Sequence, residues 1–230
     1  MSKRRPVNPY DQMPDRTHHG NLESNLDFLQ RTGVLDETGQ VLEIGPGKGG
    51  LLHHLSESGV DIQAVEINEA FIAAARNRSP HLRLTHVSDT TLPFAEESFD
   101  VVLSFDVLEH IPDTDSHLTE VRRVLKPNGR YLLQSPNKWT NVVFETIRWR
   151  SFSKWRAHHC SLHSYYGFRR RFAKHGFTVA FHDVAVVTEY FKNKLKAYAG
   201  RPGLIMLRLA NPDRMPMPLR TNYYIEATKK

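Results

Sequence analysis

A glycine-rich turn between a short apolar strand and a helix constrains the fold of this chain most. Residues 40–44 have the composition of a buried strand, and Gly-Pro-Gly-Lys-Gly-Gly follows directly at 45–50. Helical spacing of leucines then resumes over residues 51–57. Glycines leave backbone N–H groups accessible beside a bound ligand at the start of the helix. The turn therefore predicts a ligand site, and its Gly45-x-Gly47-x-x-Gly50 spacing also fits the dinucleotide-binding pattern.

The rest of the chain alternates strands and helices. Further strands are predicted at residues 61–66, 82–87, 100–105 and 130–134, and helices at 21–32, 69–78, 117–125 and 165–175. This alternation predicts an α/β fold with a doubly wound, mostly parallel sheet and right-handed crossovers. Two late strands, one from residue 176 to about 187 and one at 222–228, are joined by a long excursion and predict an antiparallel pair at one edge.

The composition is that of a globular chain with a substantial core. Hydrophobic residues make up 40% of the 230 residues and charged residues 24%, which excludes disordered and collagen-like classes. The single cysteine, Cys160, excludes an internal disulfide and a multi-cysteine zinc site, so a reducing, cytoplasmic location is expected. No apolar run approaches the roughly 18–20 residues of a membrane span.

The charge is distributed unevenly along the chain. Residues 1–140 carry a formal charge of −6 and residues 141–230 a formal charge of +12. A basic last part predicts contact with an anionic ligand or surface, and solvated helix faces are the alternative.

Three acidic residues follow predicted strands at the edge where open α/β sheets bind ligands. Glu43 lies near the end of the first strand, Glu66 ends the second, and Asp89 follows the third. A carboxylate at Glu66 suits two ribose hydroxyls, and one at Asp89 suits an exocyclic adenine amine. Together with the glycine turn, they predict a nucleoside-containing ligand.

At this level of detail the chain resembles the class I S-adenosylmethionine-dependent methyltransferases. Within them it is most similar to the branch with the ubiquinone-biosynthesis O-methyltransferases and many small-molecule enzymes. The resemblance is carried by Val-Leu-Glu-Ile-Gly-Pro-Gly-Lys-Gly at 41–49, Val-Glu-Ile at 65–67, Ser-Asp-Thr-Thr-Leu-Pro-Phe at 88–94, Ser-Phe-Asp-Val at 98–101, Leu-Glu-His at 108–110 and Leu-Lys-Pro-Asn-Gly at 125–129. It covers residues 35–137 closely and 165–179 loosely.

The resemblance implies a seven-stranded Rossmann-like methyltransferase fold with an antiparallel last strand. It also implies S-adenosyl-L-methionine as cofactor and S-adenosyl-L-homocysteine as product. The implied cofactor contacts are Glu43 with Gly45, Gly47 and Gly49 at the methionine part, Glu66 at the ribose, Ile67 on the adenine, Asp89 with Thr90 at the adenine amine, and Ser104 with Phe105 near the transferred methyl. A dehydrogenase would need a nicotinamide-binding half, for which little chain remains, and would leave Asp89 without a role.

Histidines are the candidates for acid–base catalysis, because methylation of a hydroxyl benefits from a base with a pKa near neutral. His110 follows the fourth strand beside the expected active site, and an orienting role is the alternative. His158 and His159 lie in an aromatic insertion, where a surface pair is the alternative. A metal site from these two, His163 and a carboxylate would have no recognised ligand spacing, so no metal is predicted.

The chain is predicted to form a single domain, residues 1–230, with appended segments. Residues 1–20 are expected to form an N-terminal arm, and residues 137–163 and 188–219 cap or lid insertions. The first insertion contains all three tryptophans, which suits an apolar acceptor pocket, and ordinary packing of the cap on the sheet is the alternative.

Three functions are compatible with these observations. The first is methyl transfer to an oxygen of a small apolar or amphipathic acceptor, with an anionic or lipid-linked acceptor and peripheral contact with an anionic membrane surface suggested by the basic last part. The second is methylation of tRNA or another RNA through the same basic residues, although no RNA-binding module or Asn/Asp-Pro-Pro-Tyr motif is present. The third is a non-catalytic cofactor-binding protein, since the fold alone does not determine function.

Overall fold

The computed structural model describes residues 22–36, 39–149, 151 and 159–230. Seven helices are named here in chain order: α1 Leu22–Arg31, α2 Gly50–Glu57, α3 Glu69–Arg78, α4 Thr114–Val124, α5 Lys138–Trp149, α6 Tyr165–Lys174 and α7 Glu189–Leu209. The strands are β1 Val41–Ile44, β2 Ile62–Glu66, β3 Leu84–His86, β4 Phe99–Phe105, β5 Leu125–Pro136, β6 Phe177–His182 and β7 Asn222–Lys229. A short 3₁₀ turn, Leu108–His110, follows β4.

The strands form one seven-stranded sheet in the order β3-β2-β1-β4-β5-β7-β6. The pairs among β1 to β5 are parallel, whereas β7 runs antiparallel to both β5 and β6. This confirms the predicted doubly wound sheet with an antiparallel last strand. The last strand, β7, lies inside the sheet between β5 and β6, however, and β6 forms the edge opposite β3.

Two buried clusters, one on each face, hold the sheet between layers of helices. One cluster joins α1, α2 and α3 to the sheet through side chains such as Phe28, Leu52 and Ile72. The other joins α4 and α6 through side chains such as Leu118, Phe168 and Phe172. Strand β1 contributes alternately to the two clusters, because successive side chains point to opposite faces.

Strand β5 is longer than the sequence predicts. The Pro127-Asn-Gly129 turn signal lies within it instead of before it, and Asn128 adopts a left-handed φ of 62°. The pairing with β4 shifts register between Phe99 and Val101, so an irregularity accommodates this segment without ending the strand.

The predicted appended segments are described in part. The N-terminal arm and His158 lie outside the described residues, and the division of the chain into one domain with cap insertions stays a prediction. Within the insertions, residues 138–149 form α5 and residues 189–209 form α7. Helix α7 is kinked at Gly200, whose φ is 58°, just before Pro202. Across the described part of the chain, none of the helices has the length and apolar character that crossing a bilayer requires.

Candidate functional site

A cavity of about 650 Å³ opens at the carboxyl ends of the parallel strands. This volume is within the usual range of small-molecule sites, roughly 300–1,000 Å³. Most residues predicted as site residues line it: Glu43, Gly45, Gly47, Glu66, Ile67, Asp89, Thr90, Phe105 and His110. The structure therefore brings these nine residues, from separate strand ends, to one place.

The glycine turn shapes one wall of the cavity. Gly45 and Gly47 have φ values of 69° and 58°, which side chains other than glycine rarely adopt. A Cβ on Gly45 would lie 2.7 Å from a methyl carbon of Val107, so the turn approaches the loop after β4 closely. A Cβ on Gly47 would meet no atom within 4 Å, so this backbone faces open space beside the cavity.

Gly49 has a different role from the other two glycines. It is buried, and a Cβ there would lie 3.0 Å from that of Ala75 on α3. Gly49 does not line the cavity and instead permits close packing of α2 against α3.

Glu66 ends β2 and organises the neighbouring loops. One carboxylate oxygen accepts hydrogen bonds from the backbone N–H groups of Ile67 and Asn68, and the other accepts from that of Gly47, each at 2.9 Å. Burial raises the pKa of this carboxyl, while the three N–H donors oppose the shift. A carboxylate oxygen can accept more than one hydrogen bond. The oxygen that accepts, among the described residues, only from Gly47 therefore retains capacity for a ligand hydroxyl.

Glu43 is the most deeply buried acid of the cavity wall. Its side chain is enclosed beneath the glycine turn, and its Oε2 atom has no hydrogen-bond partner among the described residues. Burial, together with the negative charge of Glu66, raises the pKa of Glu43 to about 8. A buried acceptor without a donor at the rim of a cavity suits a positively charged ligand group.

The part of the cavity wall with Ile67 and Asp89 is more exposed. Ile67 is 57% exposed, and Phe71 and Leu92 provide further apolar surface beside it. Asp89 is exposed and accepts a hydrogen bond from the N–H of Thr91 at 2.7 Å, which orients its carboxylate. Such a wall suits a flat aromatic ring with a polar edge.

Ser104 does not line the cavity, unlike its neighbour Phe105. Its hydroxyl is fully buried and lies 2.6 Å from the hydroxyl of Tyr131, which lies 3.0 Å from Nε2 of His117. The sequence-based placement of Ser104 beside the transferred methyl is therefore not what the structure shows. Successive residues of β4 face opposite sides of the sheet, and of these two only Phe105 is among the cavity-lining residues.

His110 is the predicted catalytic histidine that lines the cavity. Its ring lies 5.1 Å from that of His159, which comes from the described end of the first insertion. Nδ1 of His159 lies 2.9 Å from the side-chain oxygen of Asn141 on α5. His159 is therefore next to the site but not in the cavity wall, and His163 is further away, against Thr114 and Phe168.

Several cavity residues were not identified from the sequence. Leu22 and Asn25 come from α1, and His117 comes from the first turns of α4. The leucine belongs to an amphipathic helix pattern that indicates only packing. No local signal marks Asn25 or His117, because their contacts depend on how the helices cross the sheet.

The described residues fit an S-adenosylmethionine molecule. Glu43 offers a buried, unpartnered acceptor for a cationic group, and Gly45 and Gly47 leave space that a side chain would fill. Glu66 offers hydrogen-bond acceptors for ribose hydroxyls, and Ile67 and Asp89 suit an adenine ring and its amine.

Residues 42–133 match the family model described as a methyltransferase domain. A probable S-adenosylmethionine-dependent methyltransferase of Mycolicibacterium smegmatis is 31% identical over 55% of this chain and 51% of its own length. A ubiquinone biosynthesis O-methyltransferase of Bradyrhizobium diazoefficiens is 32% identical over 57% of this chain and 48% of its own length. The chain thus matches about half the length of these curated relatives.

Solved structures share the fold over nearly the whole chain. A possible histamine N-methyltransferase of Thermotoga maritima covers 91% of this chain and 93% of its own, with a TM-score of 0.61 and 20% identity. A phosphoethanolamine N-methyltransferase of Haemonchus contortus in complex with S-adenosyl-L-methionine covers 90% of this chain and 52% of its own, with a TM-score of 0.58 and 21% identity. With the methyltransferase-domain match over residues 42–133, the sheet order and the strand-end cavity, the chain is similar in sequence, fold and site to the class I S-adenosylmethionine-dependent methyltransferases.

Proposed function

We propose that this chain transfers a methyl group from S-adenosylmethionine to an oxygen of a small apolar or amphipathic acceptor. The observation that carries the proposal is one cavity whose lining combines two kinds of chemistry. Acidic side chains and glycine backbone line it together with apolar side chains and two histidines, His110 and His117.

The acidic part of the lining supports cofactor binding. S-adenosylmethionine supplies an activated methyl group on a sulfonium, so the protein does not need to create an electrophile. Glu43 is placed for the cationic part of the cofactor, and Glu66 for its ribose hydroxyls. These contacts fix the position of the methyl group relative to the acceptor.

The apolar part of the lining supports enclosure of the acceptor. The apolar side chains of Leu22, Phe105, Val107 and Ile111 are part of the cavity lining. Excluding water favours a reaction in which a cationic sulfonium becomes a neutral thioether, because the transition state disperses charge. An acceptor with substantial apolar surface matches this wall.

Oxygen is favoured as the methylated atom because His110 lines the cavity. A neutral imidazole is suited to accept the proton that a hydroxyl loses on methylation. The names of the relatives include an O-methyltransferase, a demethylmenaquinone methyltransferase and a phosphoethanolamine N-methyltransferase, so they span several acceptors. The histidine is therefore the structural reason for choosing oxygen.

Peripheral contact with an anionic membrane surface belongs to the same proposal. Ile205 and Leu209 on the second half of α7 are 57% and 84% exposed, and the neighbouring Arg201 and Arg208 are also exposed. Apolar side chains flanked by cations suit the interface of an anionic bilayer. Binding to vesicles of phosphatidylcholine with 30% phosphatidylserine, reduced by Leu209→Ser and absent with pure phosphatidylcholine, would support this contact. Equal binding to both compositions would contradict it.

RNA methylation is the alternative function. Among the basic residues proposed for it, Arg171 lies 2.6 Å from Asp115, and Arg169 lies over the ring of Tyr165. These two arginines are therefore already engaged within the protein.

We also place the protein in the cytoplasm, because its single cysteine, Cys160, is exposed as a free thiol.

The experiment is incubation of the full chain with radiolabelled S-adenosylmethionine and fractionated cell extract. Label in a base-stable, apolar small-molecule or lipid fraction supports the proposal. Label in RNA, with transfer that falls steeply between about 50 and 200 mM salt, would overturn it in favour of the alternative. Cofactor binding without transfer to any fraction would show a non-catalytic protein.

A further inference from the structure

Three metal-ligating side chains meet beside the cavity. The ligand atoms of Glu109, His110 and His159 all lie within 4.8 Å of one another. Glu109 and His110 belong to the 3₁₀ turn after β4, and His159 lies fifty residues later. From this juxtaposition we propose that the three side chains form a binding site for a zinc-type divalent cation.

The donor set is the first argument for this site. Two imidazoles and one carboxylate are ligands that first-row transition metals bind well, and three protein ligands leave coordination positions open. Ligand atoms around one zinc ion lie about 3–3.5 Å apart, given metal–ligand bonds of about 2.0–2.2 Å. Side-chain rotations that shorten the distances between the three ligand atoms by about 1–1.5 Å bring this cluster to that spacing.

The groups around the cluster orient its ligands. Nδ1 of His159 lies 2.9 Å from the side-chain oxygen of Asn141, which accepts hydrogen bonds, so the ring lone pair is on Nε2. The hydroxyl of Ser135 donates to Oε2 of Glu109 at 3.3 Å. Metal-binding histidines and carboxylates are usually held by such neighbouring hydrogen bonds.

The backbone joins the two parts of the cluster firmly. The N–H of Ser161 donates to the carbonyl oxygen of Glu109 at 3.0 Å, and the hydroxyls of Thr114 and Ser161 are 2.5 Å apart. The segment with His159 is thus fixed to the turn with Glu109 and His110. Glu109 is 1% exposed, and a cation would offset the cost of burying its charge.

The role of the ion rests on the proposed function. His110 lines the cavity, so the ion would lie where the acceptor hydroxyl is placed. An oxygen bound to a divalent cation loses its proton to solvent more readily. Its electron pair then forms the new C–O bond, the S–C bond breaks with its electrons remaining on sulfur, and the products are a methyl ether, a thioether and one proton. In this arrangement His110 is a metal ligand, and the ion replaces it in promoting proton loss.

The sequence predicted no metal because the histidine spacing matches no known signature. The site proposed here uses a different set, with Glu109 and His110 in place of His158 and His163. Its members converge only after the insertion returns to the sheet, which local spacing does not reveal.

The test is calorimetric titration of the chelator-treated full chain with Zn²⁺. A second surface cluster, His53, Glu57 and His81, also places ligand atoms within 4.8 Å, so all titrations use a His81→Ala background. We expect one Zn²⁺ per chain in this background. We expect binding at least tenfold weaker after His159→Ala or Glu109→Gln, and about tenfold weaker after Asn141→Ala.

The outcomes separate the metal site from the proposed function. Zinc binding that is absent in the His81→Ala background, or unchanged by both His159→Ala and Glu109→Gln, would overturn the site. Folding of each variant is checked by its thermal unfolding, and His159→Ala keeps the test decisive if the buried Glu109→Gln variant does not fold. Affinity for S-adenosylmethionine is measured on the same samples, and its absence would refute the proposed function while leaving the zinc result valid.

Discussion

The carboxylate of Glu66 accepts a hydrogen bond from the backbone N–H of Gly47 at 2.9 Å, across nineteen positions of the chain. This bond connects the end of β2 to the glycine turn after β1, and the other carboxylate oxygen holds the first residues leading to α3. One side chain therefore sets the positions of two cavity walls while facing the site expected for the ribose.

Replacing Glu66 by alanine is expected to weaken S-adenosylmethionine binding by about tenfold or more. The loss of charge-assisted hydrogen bonds to the ribose is worth roughly 1.5–3 kcal/mol. Isothermal titration calorimetry measures the effect, with Glu69→Ala as control because Glu69 is exposed and does not line the cavity. Unchanged affinity in Glu66→Ala would show that the ribose lies elsewhere.

Glu43→Gln is expected to stabilise the free protein at high pH and to weaken cofactor binding. Burial raises the pKa of Glu43 to about 8 from the ordinary 4.5 of a glutamate, so folding takes up a proton between these values. The stability contributed by the protonated carboxyl is fully present below pH 4.5 and is lost as pH rises through 8. Glutamine remains neutral, so the variant is expected to be about 3–5 kcal/mol more stable than wild type at pH 9.

Urea unfolding of wild type and Glu43→Gln between pH 6 and pH 9 measures this difference. The two stability curves should diverge as pH rises. Parallel curves would mean that Glu43 is ionised at neutral pH in the folded protein.

Gly45→Ala is expected to destabilise the protein by about 2 kcal/mol or more, because the new Cβ meets a methyl carbon of Val107 at 2.7 Å and φ is positive. Val107→Ala removes that methyl, so the double variant should recover part of the loss. Gly59→Ala is the matched control for backbone strain alone, since Gly59 has a φ of 84° and open space around its Cβ position. Strictly additive effects of the Gly45 and Val107 changes would exclude the contact.

The protein is expected to lose stability in mild acid through two histidines. Burial lowers the pKa of His117 to about 4, and burial with the nearby charges of Arg171 and Lys138 lowers that of His163 to about 4. Their neutral forms contribute stability above the unfolded-state pKa of about 6.5, and this is lost as pH falls toward 4. His117→Gln should reduce the loss between pH 7 and pH 4.5 by about 2 kcal/mol, measured by urea unfolding. An unchanged pH dependence would place the acid sensitivity on other groups.

Much of the fold followed from the sequence because its signals are local. The glycine turn, the alternation of strands and helices and the β-rich final segment each indicate an element within a few residues. Strand β5 departs from prediction because a left-handed Asn128 lets the strand continue past a proline and a glycine. Helix α7 was not predicted because Gly200 and Pro202 interrupt its pattern.

The cavity was predictable where residues follow strands, and not where tertiary packing decides. Glu43, Glu66 and Asp89 line it because parallel strands end at the same edge. Ser104 does not line it. The sequence could not show this, because β4 is apolar on both faces and its pattern does not distinguish them. The convergence of Glu109 with His159, fifty positions apart, depends on the path of the insertion at residues 137–163.

The position of β7 between β5 and β6 has a consequence for biosynthesis. Until residues 222–229 leave the ribosome, β5 has an unpaired edge and β6 has no strand partner in the sheet. The nascent chain thus exposes hydrogen-bonding groups of a largely apolar strand throughout the synthesis of α5, α6 and α7, a period in which chaperone protection against intermolecular strand pairing is most valuable.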